Sequence, residues 1–83
     1  MSNTVRLLAF AGARDVLGAA ELSFPLDGPC TAEELLHHVC SRYPALVPYR
    51  RSIRVAVNGA YAQPGEEVRS GDEVALIPPV AGG

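Results

Sequence analysis

The sequence has no lysine, and its seven basic residues are all arginines. Nine acidic residues outnumber them, so the formal net charge is −2 at pH 7. Proteins that bind nucleic acid or anionic membranes through charge present an excess or a patch of basic residues. We therefore expect neither nucleic acid nor a membrane among the partners.

Cysteine is scarce, and long apolar runs are missing. Cys30 and Cys40 lie ten residues apart, with neither a CxxC spacing nor zinc-like partners. We expect two reduced thiols, Cys40 in the core of a helix and Cys30 in a loop, although the sequence alone leaves a disulfide open. No apolar stretch approaches the ~20 residues of a membrane span, and residues 1–4 lack the basic start of a signal peptide. These features favour a cytoplasmic protein.

Familiar catalytic motifs are also missing. No serine lies in a nucleophile-elbow motif, and no glycine-rich loop precedes a helix in the way that phosphate binding requires. His37 and His38 are adjacent, so on a helix they point about 100° apart and cannot chelate one metal ion. We expect no metal site, no permanently bound cofactor and no self-contained active site.

The chain contains enough apolar residues to form the core of one small domain. Of its 83 residues, 48% are hydrophobic and 19% charged, which is typical of a globular fold. Strands are predicted in "TVRLLAFA" (4–11), "AELSFPL" (20–26) and a hairpin "SIRVAVNGAYAQ" (52–63) that turns at Asn58 and Gly59. In "RSGDEVALIP" (69–78), a turn at residues 70–72 is predicted to precede the last strand. Pro25 predicts that the second strand is an edge strand or ends there. Residues 11–18 are expected to form a loop with one helical turn, ended by Gly18.

The strongest helix signal begins at Thr31. Thr31 and Glu34 have the spacing of a capping box, and Pro44 predicts the end of the helix. Apolar residues recur between these limits at steps of three and four: Leu35, Leu36, Val39, Cys40 and Tyr43. We predict a helix from Ala32 to Arg42 or Tyr43, followed by a linker through Pro48.

The predicted order is strand, strand, helix, strand, short strand, strand. It indicates an α+β fold, in which one main helix packs on one face of a four- to five-stranded sheet. Strand alternation then assigns an apolar set to the other face: Leu8, Phe10, Ala56, Tyr61 and Ile77. A partner could cover this set, which is too apolar for solvent, or loops and residues 43–52 could cover it instead.

The sequence closes on "IPPVAGG", and residues 1–77 and 78–83 are predicted to form a domain and a flexible tail. The two prolines favour an extended path, and six residues reach roughly 20 Å. Glycines have no side chain, so such a tip could enter a channel too narrow for other residues. The predicted tail consists of Pro78, Pro79, Val80, Ala81 and Gly82, and ends at Gly83. The carboxylate of Gly83 would be ionised and a poor electrophile, so a second enzyme would have to activate it.

These segments together resemble the MoaD/ThiS family of ubiquitin-like sulfur carriers, which includes the small subunit of molybdopterin synthase. The resemblance runs through "VRLLAFAGARDVLG", "TAEELL…RYP", "VAVNG" and "GDEVALIPPVAGG", and covers nearly all 83 residues. The diglycine ending is its most specific part. The resemblance implies a β-grasp fold with a mixed sheet.

The resemblance also implies a function. In this family, an E1-like enzyme uses ATP to adenylate the terminal glycine, here Gly83, and a persulfide donor supplies the sulfur of a thiocarboxylate. The tail then enters the large subunit of molybdopterin synthase, which supplies the catalytic groups, and sulfur passes to cyclic pyranopterin monophosphate. The family's apolar contact with that subunit matches Phe10, Tyr61 and Ile77, and the assembly is a heterotetramer of two small and two large subunits.

Two other kinds of function remain open at this point. The chain could carry sulfur for thiamine or cysteine biosynthesis. It could instead be a ubiquitin-like conjugation tag, or a β-grasp binding module with an idle tail. Because the chain has no lysine, it could not form lysine-linked chains of itself.

Overall fold

The computed structural model describes residues 3–78. The strands are β1 (Thr4–Ala9), β2 (Glu21–Pro25), β3 (Cys30–Thr31), β4 (Arg54–Val57), β5 (Ala60–Tyr61), β6 (Glu67–Val68) and β7 (Glu73–Ile77). The helices are α1 (Ala11–Leu17), α2 (Ala32–Arg42) and a 3-10 helix (Pro44–Ser52).

Five of the strands form one mixed sheet in the order β2-β1-β7-β4-β5. The central pair, β1 and β7, is parallel, and the other neighbours are antiparallel. The strands β3 and β6 pair separately as a two-stranded ribbon. The predicted α+β architecture, with a mixed sheet and one main helix, is confirmed.

The core lies between α2 and one face of the sheet. Its strand residues are alternate positions that all point toward the helix: Val5, Leu7, Ala9, Val55, Val74 and Leu76. The helix contributes Ala32, Leu35, Leu36, Val39 and Cys40. Leu7, Leu35, Val39, Val74 and Leu76 are at most 1% exposed, and burying each such side chain stabilises the fold by about 1.5–3 kcal/mol.

The start of α2 is fixed by the predicted capping box. The Glu34 N–H donates to Thr31 Oγ1 at 3.1 Å, and the Thr31 N–H donates to Glu34 Oε1 at 2.9 Å. Two backbone donors that the first turn would leave unsatisfied are thereby paired. The helix runs from Ala32 to Arg42 as predicted.

Two strand predictions are also confirmed. The strand that contains Pro25, β2, lies at an edge of the sheet, where the missing proline N–H breaks no ladder. Asn58 and Gly59 join β4 to β5 with φ values of 51° and 87°. Positive φ at both positions is typical of a type I′ hairpin turn.

The prediction for residues 11–18 is wrong in part. They form an α-helix of seven residues, Ala11–Leu17, and not a loop with a single helical turn. Ala13 and Leu17 lie four residues apart and are both buried, so one face of the short helix packs on the core. Gly18 ends it as expected, with φ 78° and an N–H that donates to the Arg14 carbonyl.

The segment through Pro48 is not the predicted linker. Pro44–Ser52 form a 3-10 helix, and Leu46 is anchored in the core with 1% exposure. The segment packs against α1 and α2, on the helix side of the sheet. It therefore does not cover the opposite face.

Cys30 also differs from its prediction. It lies in β3, paired with Val68 of β6, and not in a loop. A two-residue strand is too short to show alternation in the sequence. Cys40 is buried on α2 as predicted, and both thiols are free.

Candidate functional site: the open face of the sheet

The sheet face opposite α2 is the candidate site, and we call it the open face. Because side chains alternate along a strand, burial of Val5, Leu7 and Ala9 sends Leu8 to the opposite side. The cross-strand register extends this face over four strands. Its apolar members are Leu8, Phe10, Ala56, Tyr61, Ala75 and Ile77, and Arg54 lies among them.

The structure brings the three predicted interface residues onto this one face. Phe10 is 51% exposed and Tyr61 is 64% exposed, and both are large hydrophobic side chains. Ile77 is half-buried in the central strand β7, one position beyond the Ala9–Leu76 pair that leads to Phe10. Exposed apolar patches are typical of protein interaction surfaces, and the contact of these residues with a partner stays a prediction.

Ala56 lies on the open face as predicted, but solvent barely reaches it. Only 9% of its surface is exposed. Its neighbours across the ladders are Ala75 of β7 and Tyr61 of β5. The centre of the face is thus built from small side chains, and the larger ones surround it.

Arg54 is a member of the face that the sequence prediction omitted. It pairs with Ile77 across the ladder, and its Cζ lies 5.7 Å from the centroid of the Tyr61 ring. This distance is within the range of a cation–π contact. The signal was present, because the alternation of Ile53 and Val55 already assigns Arg54 to this side of the strand.

A cluster of three charged side chains, Arg6, Glu21 and Glu73, borders the apolar part of the open face. Arg6 Nε lies 2.8 Å from Glu21 Oε2, and Arg6 Nη1 lies 3.3 Å from Glu73 Oε2. The hydrogen bond from Arg6 lowers the pKa of the Glu21 carboxyl. All three side chains are substantially exposed, so this network contributes little to stability. It bridges β2, β1 and β7 at the side of the face away from Phe10.

The last residue of the last strand belongs to the open face. This strand, β7, is central, and ends at Ile77 beside Phe10 and Arg54. Pro78 follows and is half-buried. The other predicted tail residues, Pro79, Val80, Ala81, Gly82 and Gly83, lie outside the described residues, so the tail and its boundary stay a prediction.

Within residues 3–78, no group of three His, Cys, Asp or Glu side chains is placed to hold a metal ion. His37 and His38 are both exposed, with ring centroids 6.0 Å apart. Desolvation by burial raises the pKa of both the Cys30 and the Cys40 thiol. Burial therefore makes them poorer thiolate nucleophiles.

None of the described helices has the length and apolar character needed to cross a membrane.

The chain has relatives over its full length. A model described as the ThiS family matches residues 7–83. A protein of Chlamydomonas reinhardtii named "Molybdopterin synthase sulfur carrier subunit" is 37% identical, over 95% of this chain and 98% of its own. A protein of Aedes aegypti with the same name is 40% identical, over 95% of this chain and 88% of its own.

The structural comparison agrees. The crystal structure of small archaeal modifier protein 1 from Haloferax volcanii superposes with a TM-score of 0.78 and 31% identity. The superposition covers 93% of this chain and 98% of that one. The predicted ubiquitin-like β-grasp fold is confirmed.

Proposed function

The chain belongs to the ThiS family, and we propose that it is the sulfur-carrier subunit of a molybdopterin synthase. One observation carries the proposal. Relatives that bear this name match 95% of this chain and most of their own length, and the family model extends through residue 83. The exposed Phe10 and Tyr61 lie on the same sheet face as Ile77, the last residue of β7, and fit a subunit that docks on a partner through that face.

The proposed chemistry takes place at Gly83. Its carboxylate has a reference pKa of ~3.3–3.7 and is ionised at neutral pH, which makes the carbon a poor electrophile. An E1-like enzyme joins the carboxylate to AMP from ATP and releases pyrophosphate. A persulfide then displaces AMP, and cleavage of the new S–S bond by a thiol leaves the thiocarboxylate.

The thiocarboxylate suits its role because sulfur carries the charge at neutral pH and is a good nucleophile. In the proposed complex, the tail residues 78–83 enter a cavity of the large subunit, where the sulfur passes to cyclic pyranopterin monophosphate. Phe10, Tyr61 and Ile77 hold the open face against that subunit. Docking and insertion involve the same part of the domain, because Ile77, the last residue of β7, belongs to the open face.

This function specifies partners and location. The large subunit supplies the catalytic groups and joins the chain in a heterotetramer, and the E1-like enzyme uses ATP. The chain itself holds no permanent cofactor, binds neither nucleic acid nor membrane, and works in the cytoplasm. A formal charge of −2 supports the exclusion of nucleic acid.

Intact-mass measurement tests the proposal. Incubation with the E1-like enzyme, ATP and a persulfide donor should raise the mass of the chain by the difference between sulfur and oxygen. Deletion of Gly83 should abolish this gain without changing the melting temperature. The control is Gly12→Ala, because an added Cβ at Gly12 meets no atom within 4 Å, so this variant should load normally. Normal loading after deletion of Gly83 would contradict the mechanism.

A second candidate, protein conjugation, is favoured by the similarity to small archaeal modifier protein 1. The same incubation in the presence of other cellular proteins distinguishes the two. Adducts of this chain on lysines of other proteins, with no transfer of sulfur to the pterin on the large subunit, would favour the modifier. Loading without either outcome would indicate a carrier for another pathway, such as thiamine or cysteine biosynthesis.

A further inference from the structure

A groove lies at the β5 edge of the sheet, between the hairpin, the start of α2 and the end of the 3-10 helix. Its volume is about 560 Å³. Apolar side chains line part of it: Leu36, Ile53, Val55, Ala62 and Pro64. Three arginines also line it, Arg50, Arg51 and Arg54, and Glu33 is the one acidic residue among the lining residues. We call it the basic groove.

The charge of the basic groove differs from that of the rest of the chain. Its three arginines face one carboxylate, Glu33, which gives the lining a net charge of +2. The whole chain carries −2, so the remainder carries −4. Positive charge is thus concentrated in a groove on a protein that is otherwise acidic.

Among the described residues, the three arginines of the basic groove form no salt bridge. Within residues 3–78 none of them lies within 4.0 Å of a carboxylate, whereas Arg6 pairs with Glu21 and Glu73, and Arg69 pairs with Glu67. Like charges held close together repel one another in the free domain. An acidic group that entered the groove would remove this repulsion and gain charge-assisted hydrogen bonds from guanidinium groups.

We propose that the basic groove binds an acidic segment of the large subunit, an inference that rests on the proposed function. Arg54 and Tyr61 line the groove and also belong to the open face. A partner that covers the open face therefore reaches the mouth of the groove without a gap. The groove adds steering by charge to an interface that is otherwise apolar.

The geometry favours an extended polypeptide as the occupant. The Ala62 N–H donates to the Val55 carbonyl at 2.9 Å. Because hydrogen-bonded positions alternate along an antiparallel pair, the preceding residue, Tyr61, directs its N–H and C=O away from β4. A strand-like segment can pair with such an edge. The apolar lining can accommodate apolar side chains that lie between the acidic residues of a bound polypeptide. A nucleic acid has no such side chains.

Association kinetics with the large subunit test the inference. The variant is the double substitution Arg50→Gln and Arg51→Gln, and the matched control is Arg42→Gln with Arg69→Gln, which removes the same charge outside the groove. At low salt, the groove variant should associate about tenfold more slowly than the wild type. At about 0.5 M salt, where the screening length is only a few ångströms, the two rates should converge. The control should match the wild type throughout, and melting temperatures verify that both variants fold.

Each outcome has a distinct meaning. Equal slowing of both double variants, or no slowing of either, would overturn the basic groove while leaving the proposed function intact. Failure of the wild type to bind the large subunit would overturn both proposals. Binding of a single-stranded oligonucleotide that only the groove variant loses would reassign the groove to nucleic acid. Slower association with the E1-like enzyme alone would also overturn the assignment to the large subunit.

Discussion

Phe10 is the residue through which the open face is most directly testable. It follows β1, caps α1 without a side-chain hydrogen bond, and leaves half of its surface in solvent. Phe10→Glu should weaken binding to the large subunit by about 2–4 kcal/mol, since an anchoring aromatic residue would become a buried charge. Titration calorimetry measures the effect.

Val47→Glu is the matched control for Phe10→Glu. Val47 is 55% exposed, similar to Phe10, but lies on the 3-10 helix on the other side of the domain. Its affinity should equal that of the wild type. Equal affinities for all three proteins would show that the partner uses another surface.

Ala11 holds an unusual backbone conformation at the start of α1. Its φ is 49°, in the left-handed region that strains a residue with a Cβ atom. Ala11→Gly should therefore raise the free energy of unfolding by about 0.5–1 kcal/mol, as measured by urea denaturation. The same change at exposed Ala45, which has no positive φ, should lower it. Destabilisation of equal size at both positions would argue against strain at Ala11.

At the level of elements, α2 depends on its first turn. Thr31→Ala removes the oxygen that accepts the Glu34 N–H and should cost about 1 kcal/mol of stability. Ser41→Ala, an exposed change near the other end of the same helix, should be neutral or slightly stabilising. Thermal unfolding compares the two, and an unchanged melting temperature for Thr31→Ala would show that the cap does not limit stability.

The sequence predicted those elements whose signals are local and repeated. The capping box, the apolar stripe of α2 and the Asn58-Gly59 turn each specify structure within a few residues. The helix Ala11–Leu17 was missed because two buried positions make a weak period, and the strands β3 and β6 because two residues cannot alternate. The 3-10 helix is not predicted by its sequence, because Pro44 and Pro48 favour a linker, whereas the packing of Leu46 decides the conformation.

For the molecule as a whole, the core is small, so each large buried side chain contributes a substantial share of the free energy of unfolding. At 0.05–0.15 kcal/mol per residue, a domain of 83 residues has a total stability of about 4–12 kcal/mol. Leu76→Ala empties a fully buried site in the central strand and should cost about 2–5 kcal/mol. Urea denaturation measures the loss.

Leu8→Ala serves as the control for Leu76→Ala. Leu8 lies on neighbouring β1 but points to the open face and is only half-buried. Its replacement should cost clearly less than that of Leu76, because less apolar surface returns to water. Equal costs would mean that the open face contributes to the core as much as the helix side does.

The candidate site was predictable in outline. It follows from the alternation of side chains along each strand and from the packing of helices on only one face of the sheet. With a single main helix, one face of the sheet has no cover, and the strand register places Phe10, Tyr61 and Ile77 on that face. Their contact with a partner stays a prediction. The burial of Ala56 on the open face and the presence of the basic groove were not predictable. Both depend on which strands become neighbours and on how the 3-10 helix brings Arg50 and Arg51 beside Arg54, and this information is not local in the chain.

The position of β7 between β1 and β4 has a mechanical consequence. A pull on the carboxyl end along the strand loads both hydrogen-bonded ladders in shear, so many bonds must break at once. An edge strand would instead peel away one bond at a time. A partner can therefore exert force on the C-terminus without unfolding the domain. It can also bind the last residues tightly while the sheet stays intact.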